Sequence, residues 1–506
     1  MIPPQASSLA LAVPVVTAAL GGDFLSAQRW FGAKSRPVQG VTAEDWLWLT
    51  PPDAADPLAL VIARVNFADC GQDLYLLPLA FSKGGDGGAV ATVVSTPDGD
   101  YGVEDATRLP GFHTALYAAI ARGGRLETTR GRQVSFSVTR ALREQAEAHD
   151  PLERTSLLER AQGQSNSSII YGEAFILKLF RRLEAGVNPD LEVLRFLTER
   201  TSFRDVPRLA ASIEYHQPGL EAISLAALQC FAPNQGGAWE DFLARLMAGL
   251  QAHAAHASHL DEAAHAIGLD EAVLTLGKVT RGLHVALASD ASDPDFAPEA
   301  VTPQDAQAWR QALEAEIEAT LTALSERRTT LPPAWRAGLD RLGAAGAAMK
   351  AMAAGFGGAV GREKTRHHGD YHLGQVLKTV DGFVVLDFEG EPSRPLRERR
   401  AKLLALKDVA GMLRSLSYVA ASALEALPDA RRAALAPLAE AWRERAQALF
   451  LEGYAGTGGG AALARDPILR ALTLEKALYE LRYELDNRPA WLGVPLSGIL
   501  QVLDAG

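Results

Sequence analysis

Cysteine is scarce in this sequence, in which Cys70 and Cys230 are the only two among 506 residues. Neither has a second cysteine at the spacing of a metal site, and two distant cysteines do not make the dense disulfide framework of a small secreted protein. The sequence therefore predicts two small, buried, apolar side chains in a protein of a reducing compartment.

An excess of positive charge and a long apolar run are also missing. The 50 Lys and Arg residues are outnumbered by 61 Asp and Glu residues, for a net charge of -11, so no basic stripe is available to neutralise nucleic-acid phosphates. The apolar stretch from Leu9 to Leu20 is too short to span a bilayer. It is interrupted by Pro14, and no Lys or Arg precedes it, which argues against a signal peptide. We therefore expect a cytoplasmic protein without nucleic-acid or membrane partners.

Length and segment order predict an α+β protein of several domains, since 506 residues are too many for one core. Residues 1–125 are strand-rich after a short helix, residues 126–234 alternate strands with one helix, and residues 235–506 are mainly helical. We expect an N-terminal strand-rich cap, a β-rich small lobe and a mainly helical large lobe. This order of segments is typical of a bilobal, protein-kinase-like fold.

A lysine inside an apolar strand is the first candidate functional residue. The segments 168–171 and 175–180 form a predicted hairpin, and Lys178 lies within the second of them. A buried ammonium costs several kcal/mol unless it is paired, and the predicted partner is Glu192, in a helix that begins at Pro189. Such a pair holds ATP phosphates in kinases. The alternative is an edge-strand lysine that reaches solvent.

A polar segment directly before this hairpin is a candidate phosphate-binding loop. It lacks the G-x-G-x-x-G pattern, but its side chains and free backbone amides can bind phosphate oxygens. The candidate residues are Gln164, Ser165, Asn166, Ser167 and Ser168.

The segment from His367 to Gly390 has the residue types of a phosphoryl-transfer site. Asp370 lies in a polar loop, Gln375 follows five residues later, and Asp387 ends an apolar run 17 residues after Asp370. A loop carboxylate can act as base for a substrate hydroxyl, while an amide and a second carboxylate can hold Mg²⁺ against ATP phosphates. One hairpin would return the chain from Asp370 to Asp387.

Each of these assignments has an alternative. Asp370 alone can be a turn former, and Asp387 with Glu389 can be the carboxylate pair of a glycosidase. An amide at Gln375 has no obvious task in a glycosidase. Because alternate residues of a strand share a face, Glu389 is a tentative additional metal ligand beside Asp387.

Further candidates surround this segment. Asp408 is either a helix N-cap or a carboxylate that supports the catalytic loop, together with His368. A sugar site is predicted where aromatic side chains stand near polar ones, although an ordinary aromatic stripe explains the same pattern. The sugar-site candidates are His372, Tyr479, Tyr483, Arg488 and Trp491.

These motifs together resemble those of the bacterial maltokinases, which are sugar kinases related to the aminoglycoside phosphotransferases. The similarity lies in an N-terminal R-W-F-G motif at residues 29–32, an H-G-D-x-H-x-x-Q motif at 368–375, and a D-F-E-G-E-P motif at 387–392. Many small-molecule kinases have Asn at the last position of the second motif, where Gln375 stands here.

The resemblance implies ATP as co-substrate, Mg²⁺ as cofactor, and phosphorylation of the anomeric hydroxyl of maltose for α-glucan and glycogen synthesis. It implies Asp370 as base, Gln375 and Asp387 as magnesium ligands, and a hinge at Gln229 and Phe231 that contacts adenine. Relatives with the same scaffold accept glucosamine, which is the alternative substrate. A catalytically silent partner of a trehalose synthase is the alternative of a different class.

Overall fold

The computed structural model describes residues 8–84, 91–158, 166–253, 259–327, 331, 335–392 and 394–504. The predicted α+β class is confirmed, with strands in the N-terminal region and helices in the C-terminal region. The contacts divide the chain into two compact units. The first comprises Met1–Glu199 and Pro207–Pro233, and the second comprises Arg200–Val206 and Asn234–Gly506.

The first unit begins with a helix packed on an antiparallel sheet. Its elements are α1 (Ser8–Ala27), β1 (Val38–Thr50), β2 (Leu58–Phe67), β3 (Gln72–Lys83), β4 (Thr92–Thr96) and β5 (Gly99–Asp105). The strand order is β1-β2-β3-β5-β4. Leu9, Val13, Val16 and Leu20 of α1 are buried in the hydrophobic core of this sheet. The apolar N-terminal run is therefore a core helix.

A second antiparallel sheet follows, and it carries Lys178. Its elements are α2 (Pro110–Arg122), β6 (Gly124–Glu127), β7 (Gln133–Val138), α3 (Arg140–Ala148), β8 (Thr155–Leu158), β9 (Asn166–Tyr171), β10 (Phe175–Phe180), β11 (Arg182–Leu183), α4 (Pro189–Arg200), β12 (Leu209–His216) and β13 (Ile223–Cys230). The order is β6-β7-β12-β13-β10-β9-β8, while β11 pairs with β3 of the first sheet. The predicted hairpin is β9–β10, and the predicted helix is α4 with the same bounds.

Arg181 connects the two sheets of the first unit. Its side chain is 1% exposed and donates to Ser167 Oγ at 2.8 Å and to Asp105 Oδ2 at 2.7 Å. Its guanidinium lies 4.6 Å from the centroid of the Trp30 ring. Burial lowers the pKa of Arg181 from its ordinary value, against the attraction of Asp105. The tryptophan of the R-W-F-G motif thus packs on a cation that also holds the start of β9.

The predicted burial of both cysteines is wrong for Cys70. Cys230 is buried at the end of β13, where burial raises the pKa of its thiol to about 11. Cys70 is exposed, at a turn where its φ angle is 62°. A turn between β2 and β3 presents its side chain to solvent, a position that composition does not predict.

The second unit is mainly helical, with short strand pairs. Its elements are α5 (Ala238–Ala252), α6 (Leu260–Ala266), α7 (Asp270–Leu287), β14 (Glu299–Ala300), α8 (Pro303–Arg327), α9 (Arg336–Ala344), α10 (Gly346–Ala353), β15 (Glu363–Lys364), β16 (Val376–Lys378), β17 (Phe383–Val385), α11 (Leu396–Arg399), α12 (Leu406–Glu425), α13 (Asp429–Ala455), α14 (Gly460–Ala464), α15 (Pro467–Asn487) and α16 (Gly493–Asp504). Strand β14 pairs with β15, and β16 with β17. Within the described residues, no helix has the length and apolarity that a membrane crossing needs.

Candidate active site

The loop that carries Asp370 is fixed by His368, whose ring is almost fully buried. His368 Nε2 lies 2.8 Å from the carbonyl oxygen of Leu386, and its Nδ1 accepts from the backbone N–H of Asp370 at 3.3 Å. A carbonyl only accepts, so Nε2 carries the proton and Nδ1 is the acceptor. One neutral imidazole therefore ties Asp370 to the residue before Asp387.

The β16–β17 hairpin brings Gln375 and Asp387 together, as the sequence predicts. Val376 pairs with Val385, and the backbone N–H of Leu386 donates to the carbonyl of Gln375 at 2.9 Å. Beyond the hairpin, Gln375 Nε2 donates to Asp387 Oδ2 at 3.2 Å. Asp387 has a φ angle of 65°, a strained conformation for a residue with a side chain. Strain of this kind is often kept where a side chain must point in one functional direction.

The argument that placed Glu389 beside Asp387 on one strand face is wrong. Strand β17 ends at Val385, and residues 388–389 form a turn. Strand alternation therefore does not apply to this pair. Glu389 is nearly buried, and its carbonyl accepts from Arg399 at 3.1 Å. Its role as a metal ligand stays a prediction.

The chemistry of the Gln375–Asp387 pair fits a magnesium ion. Within the described residues no group of three His, Cys, Asp or Glu side chains is arranged to hold a metal. Mg²⁺ in kinase sites is bound by one or two protein oxygens together with substrate phosphates, and does not need an all-protein cage. The carboxylate of Asp387 and the amide oxygen of Gln375 are suitable donors. The pair therefore fits a metal that binds together with a nucleotide.

Asp408 stabilises the loop that carries Asp370. The alternative interpretation of Asp408 as a helix N-cap is wrong. Helix α12 begins two residues earlier, at Leu406. The Asp408 carboxylate is 1% exposed and accepts from the backbone amides of His368 at 2.7 Å and Gly369 at 2.9 Å. Burial would raise the pKa of Asp408, but the hydrogen bond from His284 holds that pKa well below its ordinary value. The carboxylate is thus charged and fully committed to the loop.

Helix α7 supplies two buried polar side chains that sequence reasoning missed. His284 Nε2 lies 3.0 Å from Asp408 Oδ2, and its Nδ1 lies 2.9 Å from the hydroxyl of Tyr454. One turn earlier, Thr280 Oγ1 lies 2.9 Å from the hydroxyl of Tyr371. Their spacing of four residues places both on one helix face. A Thr and a His at this spacing on the apolar face of the helix, among Leu276, Leu283 and Leu287, are the signal that could have found them.

Asp370 lies beside a lysine that the sequence did not indicate. Lys476 Nζ, from α15, is 3.4 Å from Asp370 Oδ1, and His372 Nε2 is 3.8 Å from Asp370 Oδ2. Burial would lower the pKa of Lys476, but the carboxylates of Asp370, Glu480 and Glu391 together hold it above its ordinary value. Burial lowers the pKa of His372. A cation thus faces the candidate base.

Asp370 lines a cavity of about 40 Å³, which continues into a second cavity of about 210 Å³. The two share four lining residues, which are Arg394, Lys407, Leu472 and Glu475. Tyr479 lines the smaller cavity, and Trp309 and Phe356 line the larger one. We call the pair the Asp370 cavity. Its walls combine ionised and aromatic side chains.

The predicted sugar-site residues separate into two groups. Tyr479 is 38% exposed and lies in the Asp370 cavity, where Lys476 Nζ is 5.2 Å from the centroid of its ring. The guanidinium of Arg488 lies 5.5 Å from the Tyr483 ring and 5.8 Å from the Trp491 ring. Within the described residues, these last three are not among those lining the Asp370 cavity. Trp491 lines a different cavity.

In the first unit, Lys178 pairs with a carboxylate that the sequence did not indicate. Its Nζ lies 3.1 Å from Oδ2 of Asp190, which is fully buried in the first turn of α4. Gln229 Nε2 also donates to that oxygen, at 3.3 Å. Helix side chains lean toward the N-terminus, so a first-turn carboxylate faces the preceding strands. Glu192 follows one half-turn later, and its pairing with Lys178 stays a prediction.

Of the remaining predicted nucleotide-binding residues, Asn166, Ser167 and Ser168 lie on β9, beside the strand that carries Lys178. Ser168 is the cross-strand partner of Lys178, and Asn166 is that of Phe180. Ser167 accepts from Arg181 and is buried. The backbone N–H of Phe231 donates to Ala174 at 2.8 Å. Gln164 and Ser165 lie outside the described residues.

Two family models match the chain. Residues 24–108 match the maltokinase N-terminal cap domain, and residues 156–390 match the phosphotransferase enzyme family. The match from 156 to 390 contains the Lys178 hairpin and the Asp370–Asp387 segment.

Curated relatives and solved structures agree with these models. A glucosamine kinase from Mycolicibacterium smegmatis is 28% identical over 351 residues, which cover 68% of this chain and 78% of the relative. A glucosamine kinase from Streptacidiphilus jiangxiensis is 27% identical over 345 residues, which cover 66% and 70%. A structure of a glucosamine kinase in complex with glucosamine, ADP and inorganic phosphate has a TM-score of 0.66 and 22% identity, over 99% of this chain and 100% of that chain. The predicted kinase-like fold is confirmed.

Proposed function

We propose that this chain is an ATP-dependent sugar kinase, because residues 156–390 match the phosphotransferase enzyme family and residues 24–108 match the maltokinase N-terminal cap domain. The observation that carries the proposal is the placement of Asp370. Its carboxylate lines a cavity with Tyr479 and Glu391, and the Gln375–Asp387 pair is held beside it by His368.

The transfer we propose is an in-line displacement at the γ-phosphorus of ATP. The sugar hydroxyl oxygen forms a bond to phosphorus while the bond to the β,γ-bridging oxygen breaks, and ADP leaves. Asp370 orients the hydroxyl and takes its proton on an Oδ atom. Lys476 fixes that carboxylate, and Lys178 binds phosphate oxygens. Magnesium, bound at Gln375 and Asp387, would neutralise charge on the phosphates.

The charges of the Asp370 cavity favour a neutral sugar. Three of the five carboxylates that line the Asp370 cavity have a close cationic partner: Asp370 has Lys476 at 3.4 Å, Glu391 has Arg394 at 2.9 Å, and Glu475 has Lys407 at 2.8 Å. Of the other two, Asp408 accepts from backbone amides and Glu398 lies 3.9 Å from Arg394. A sugar ammonium would have to compete with these cations. A neutral polyol needs only donors and acceptors, which such pairs supply.

The size of the Asp370 cavity favours an acceptor larger than a monosaccharide. The adjoining volume of about 210 Å³ has Trp309 and Phe356 in its wall, and a second sugar ring could stack there. We therefore propose maltose as the acceptor and maltose 1-phosphate as the product, for use in α-glucan and glycogen synthesis. The cap domain match supports this choice.

Glucosamine is the second candidate, because the two curated relatives described above are glucosamine kinases. A cytoplasmic location and association with a trehalose synthase also stay proposals. A catalytically silent partner protein is disfavoured, since Lys178, Asp370, Gln375 and Asp387 are all present and in contact with supporting residues.

A sugar panel tests the proposal directly. Purified protein with ATP and Mg²⁺ is expected to release ADP with maltose faster than with glucose or glucosamine. ADP release with glucosamine alone would make glucosamine the acceptor in place of maltose. If none of the sugars causes ADP release, the kinase assignment is contradicted.

The Trp309→Ala variant tests whether Trp309 contacts the second sugar ring of maltose. We expect a higher KM for maltose with an unchanged KM for ATP, because only the second sugar ring would lose its aromatic contact. An equal loss with a monosaccharide acceptor would contradict the assignment of Trp309 to a second ring.

A further inference from the structure

We infer a second, non-catalytic carbohydrate-binding site in the helical unit, in a cavity with two tryptophans in its walls. The cavity measures about 240 Å³. We call it the Trp335 cavity. It lies between α12, α13 and α16, and its lining includes Trp335, Trp491, Ser417, Ser497, Glu440 and Gln501.

The Trp335 cavity is separate from the Asp370 cavity. Within the described part of the chain, no residue lines both the Trp335 cavity and the Asp370 cavity. Helix α12 contributes to both, with Asp408 and Gly411 at the Asp370 cavity and residues from Ser417 to Glu425 at the Trp335 cavity. At about 1.5 Å per residue, Gly411 and Ser417 are roughly 9 Å apart along the helix. A ligand in one cavity therefore does not occupy the other.

The shape and the walls of the Trp335 cavity suit a sugar ring. A cavity of roughly 150 Å³ accepts a benzene ring, so this larger volume accepts a six-membered ring with its hydroxyl groups. The space exists because small side chains line it, at Ala420, Ala421, Ala439 and Ala490. The Trp335 ring lies directly against Gly493, where a Cβ atom would come within 2.3 Å of ring carbon. Indole faces at the wall can stack on the C–H face of a sugar, as they do on other flat apolar surfaces.

The charges at the Trp335 cavity select a neutral ligand. Arg443 is its cation, and that guanidinium donates to Glu440 at 2.6 and 2.9 Å and to Gln447 at 2.6 Å. Glu425 and Glu440 both line the cavity. A nucleotide or a phosphorylated sugar would meet these carboxylates without a free guanidinium to bind it. Ser497 presents an exposed hydroxyl, and Gln501, whose Nε2 donates to Glu440 at 2.8 Å, has an amide oxygen that can accept from a sugar hydroxyl. The Ser417 hydroxyl bonds to Leu413 and Gln447 and contributes only to the wall.

The rim of the Trp335 cavity extends the site beyond one ring. Trp491 belongs to the wall and also stacks with Arg488, which in turn lies on Tyr483. Arg488 is held by the buried carboxylate of Glu484 at 2.7 and 3.0 Å. Tyr483 is 46% exposed. We therefore commit to a neutral gluco-oligosaccharide, with one ring in the cavity and the next units along this aromatic rim.

Calorimetric titration with maltotriose in the absence of ATP tests the inference. The full-length protein is expected to bind two molecules per chain, one at each cavity. In Trp335→Ala, and in Ser497→Phe, which places a ring at the exposed edge of the cavity, one of the two binding events should weaken by roughly tenfold or vanish. Both variants should keep the kcat of sugar phosphorylation.

Trp309→Ala is the matched control, because it removes a tryptophan from the Asp370 cavity instead. This variant should weaken maltotriose binding at the Asp370 cavity and leave binding at the Trp335 cavity unchanged. A single binding event that only Trp309→Ala weakens would overturn the second site while the sugar-kinase proposal stands. Because no ATP is present, loss of kinase activity cannot imitate either result. Unfolding of Trp335→Ala would be visible in its melting curve. In that case Ser497→Phe, which changes an exposed position, decides whether the Trp335 cavity binds maltotriose.

Discussion

Asp370 and Lys178 are both charged residues that the sequence singles out, and they are held in place in different ways. The backbone of Asp370 is fixed by residues of its own segment, through His368 and the β16–β17 hairpin, and Asp408 accepts from the amides of His368 and Gly369. Lys178 stands on a strand and pairs with Asp190 from the following helix. Contacts between residues of one short segment can be predicted from the motif of that segment. A contact between two elements depends on how these elements pack.

The largest expected effect is that of Asp370→Asn, which removes the proton acceptor and keeps the shape. We expect kcat to fall by roughly 10²- to 10⁴-fold with little change in the melting temperature, since the Asp370 side chain is 24% exposed and its pair with Lys476 is long, at 3.4 Å. Steady-state kinetics and thermal unfolding check this. Activity near that of the parent would contradict the assignment of the base.

Asp408→Asn tests whether the loop depends on a carboxylate beneath it. The change leaves His284 and two backbone amides without their charged acceptor, and losing one member of a buried pair costs about 3–5 kcal/mol. Urea unfolding should show the loss, and kcat should fall more than the KM for ATP rises. Thr280→Val, on the same helix as His284, is a milder control. Equal stability of Asp408→Asn and the parent protein would show that the contacts to His368 and Gly369 do not support the loop.

Asp190→Asn and Glu192→Gln together sharpen the comparison at Lys178. If Asp190 is the main partner of the lysine, its variant should lower kcat/KM for ATP by roughly 10- to 100-fold, the worth of a charge-assisted hydrogen bond of about 1.5–3 kcal/mol. Glu192→Gln should then change it less than about threefold. The reverse order would make Glu192 the main partner, as the sequence predicts.

The smallest expected effect is the contribution of His367 to the pH dependence of the free energy of unfolding. Burial lowers the pKa of His367 to about 4, against the attraction of Asp408, from about 6.5 in an unfolded chain. Between these values the unfolded chain binds more protons, so stability present above pH about 6.5 is lost as the pH falls towards 4. At pH 5 the loss should be roughly 1–2 kcal/mol. Urea unfolding at pH 7 and pH 5 should show a smaller difference for His367→Asn, and an identical pH dependence would contradict this origin.

Much of the fold and of the Asp370 half of the site could be predicted because the signals are local. The hairpin at 166–180, helix α4 and the approach of Gln375 to Asp387 follow from strand patterning, a proline at a helix start and a short loop. Lys476 and Asp190 could not be predicted with the same means. Lys476 lies more than a hundred residues from Asp370 in the chain, and nothing in its own helix marks it.

The sugar-site prediction shows the same division. Aromatic and polar residue types at the end of α15 indicated a carbohydrate site, but residue types do not state which cavity a side chain faces. Tyr479 lines the Asp370 cavity and Trp491 the Trp335 cavity, because a helix turn and a change of direction after Asn487 separate them.

The sequence by itself determined the α+β class, the candidate reacting residues and the hairpin that brings Gln375 to Asp387, because short-range patterning and motif chemistry suffice for these. The tertiary structure alone decided which partners hold Lys178, Asp370 and Asp408, and which cavities receive the aromatic side chains. Asp190 comes from the helix that follows the Lys178 hairpin, whereas Lys476 and His284 come from helices more than a hundred residues away from Asp370 and Asp408. Their approach depends on the packing of whole elements, and no local pattern records it.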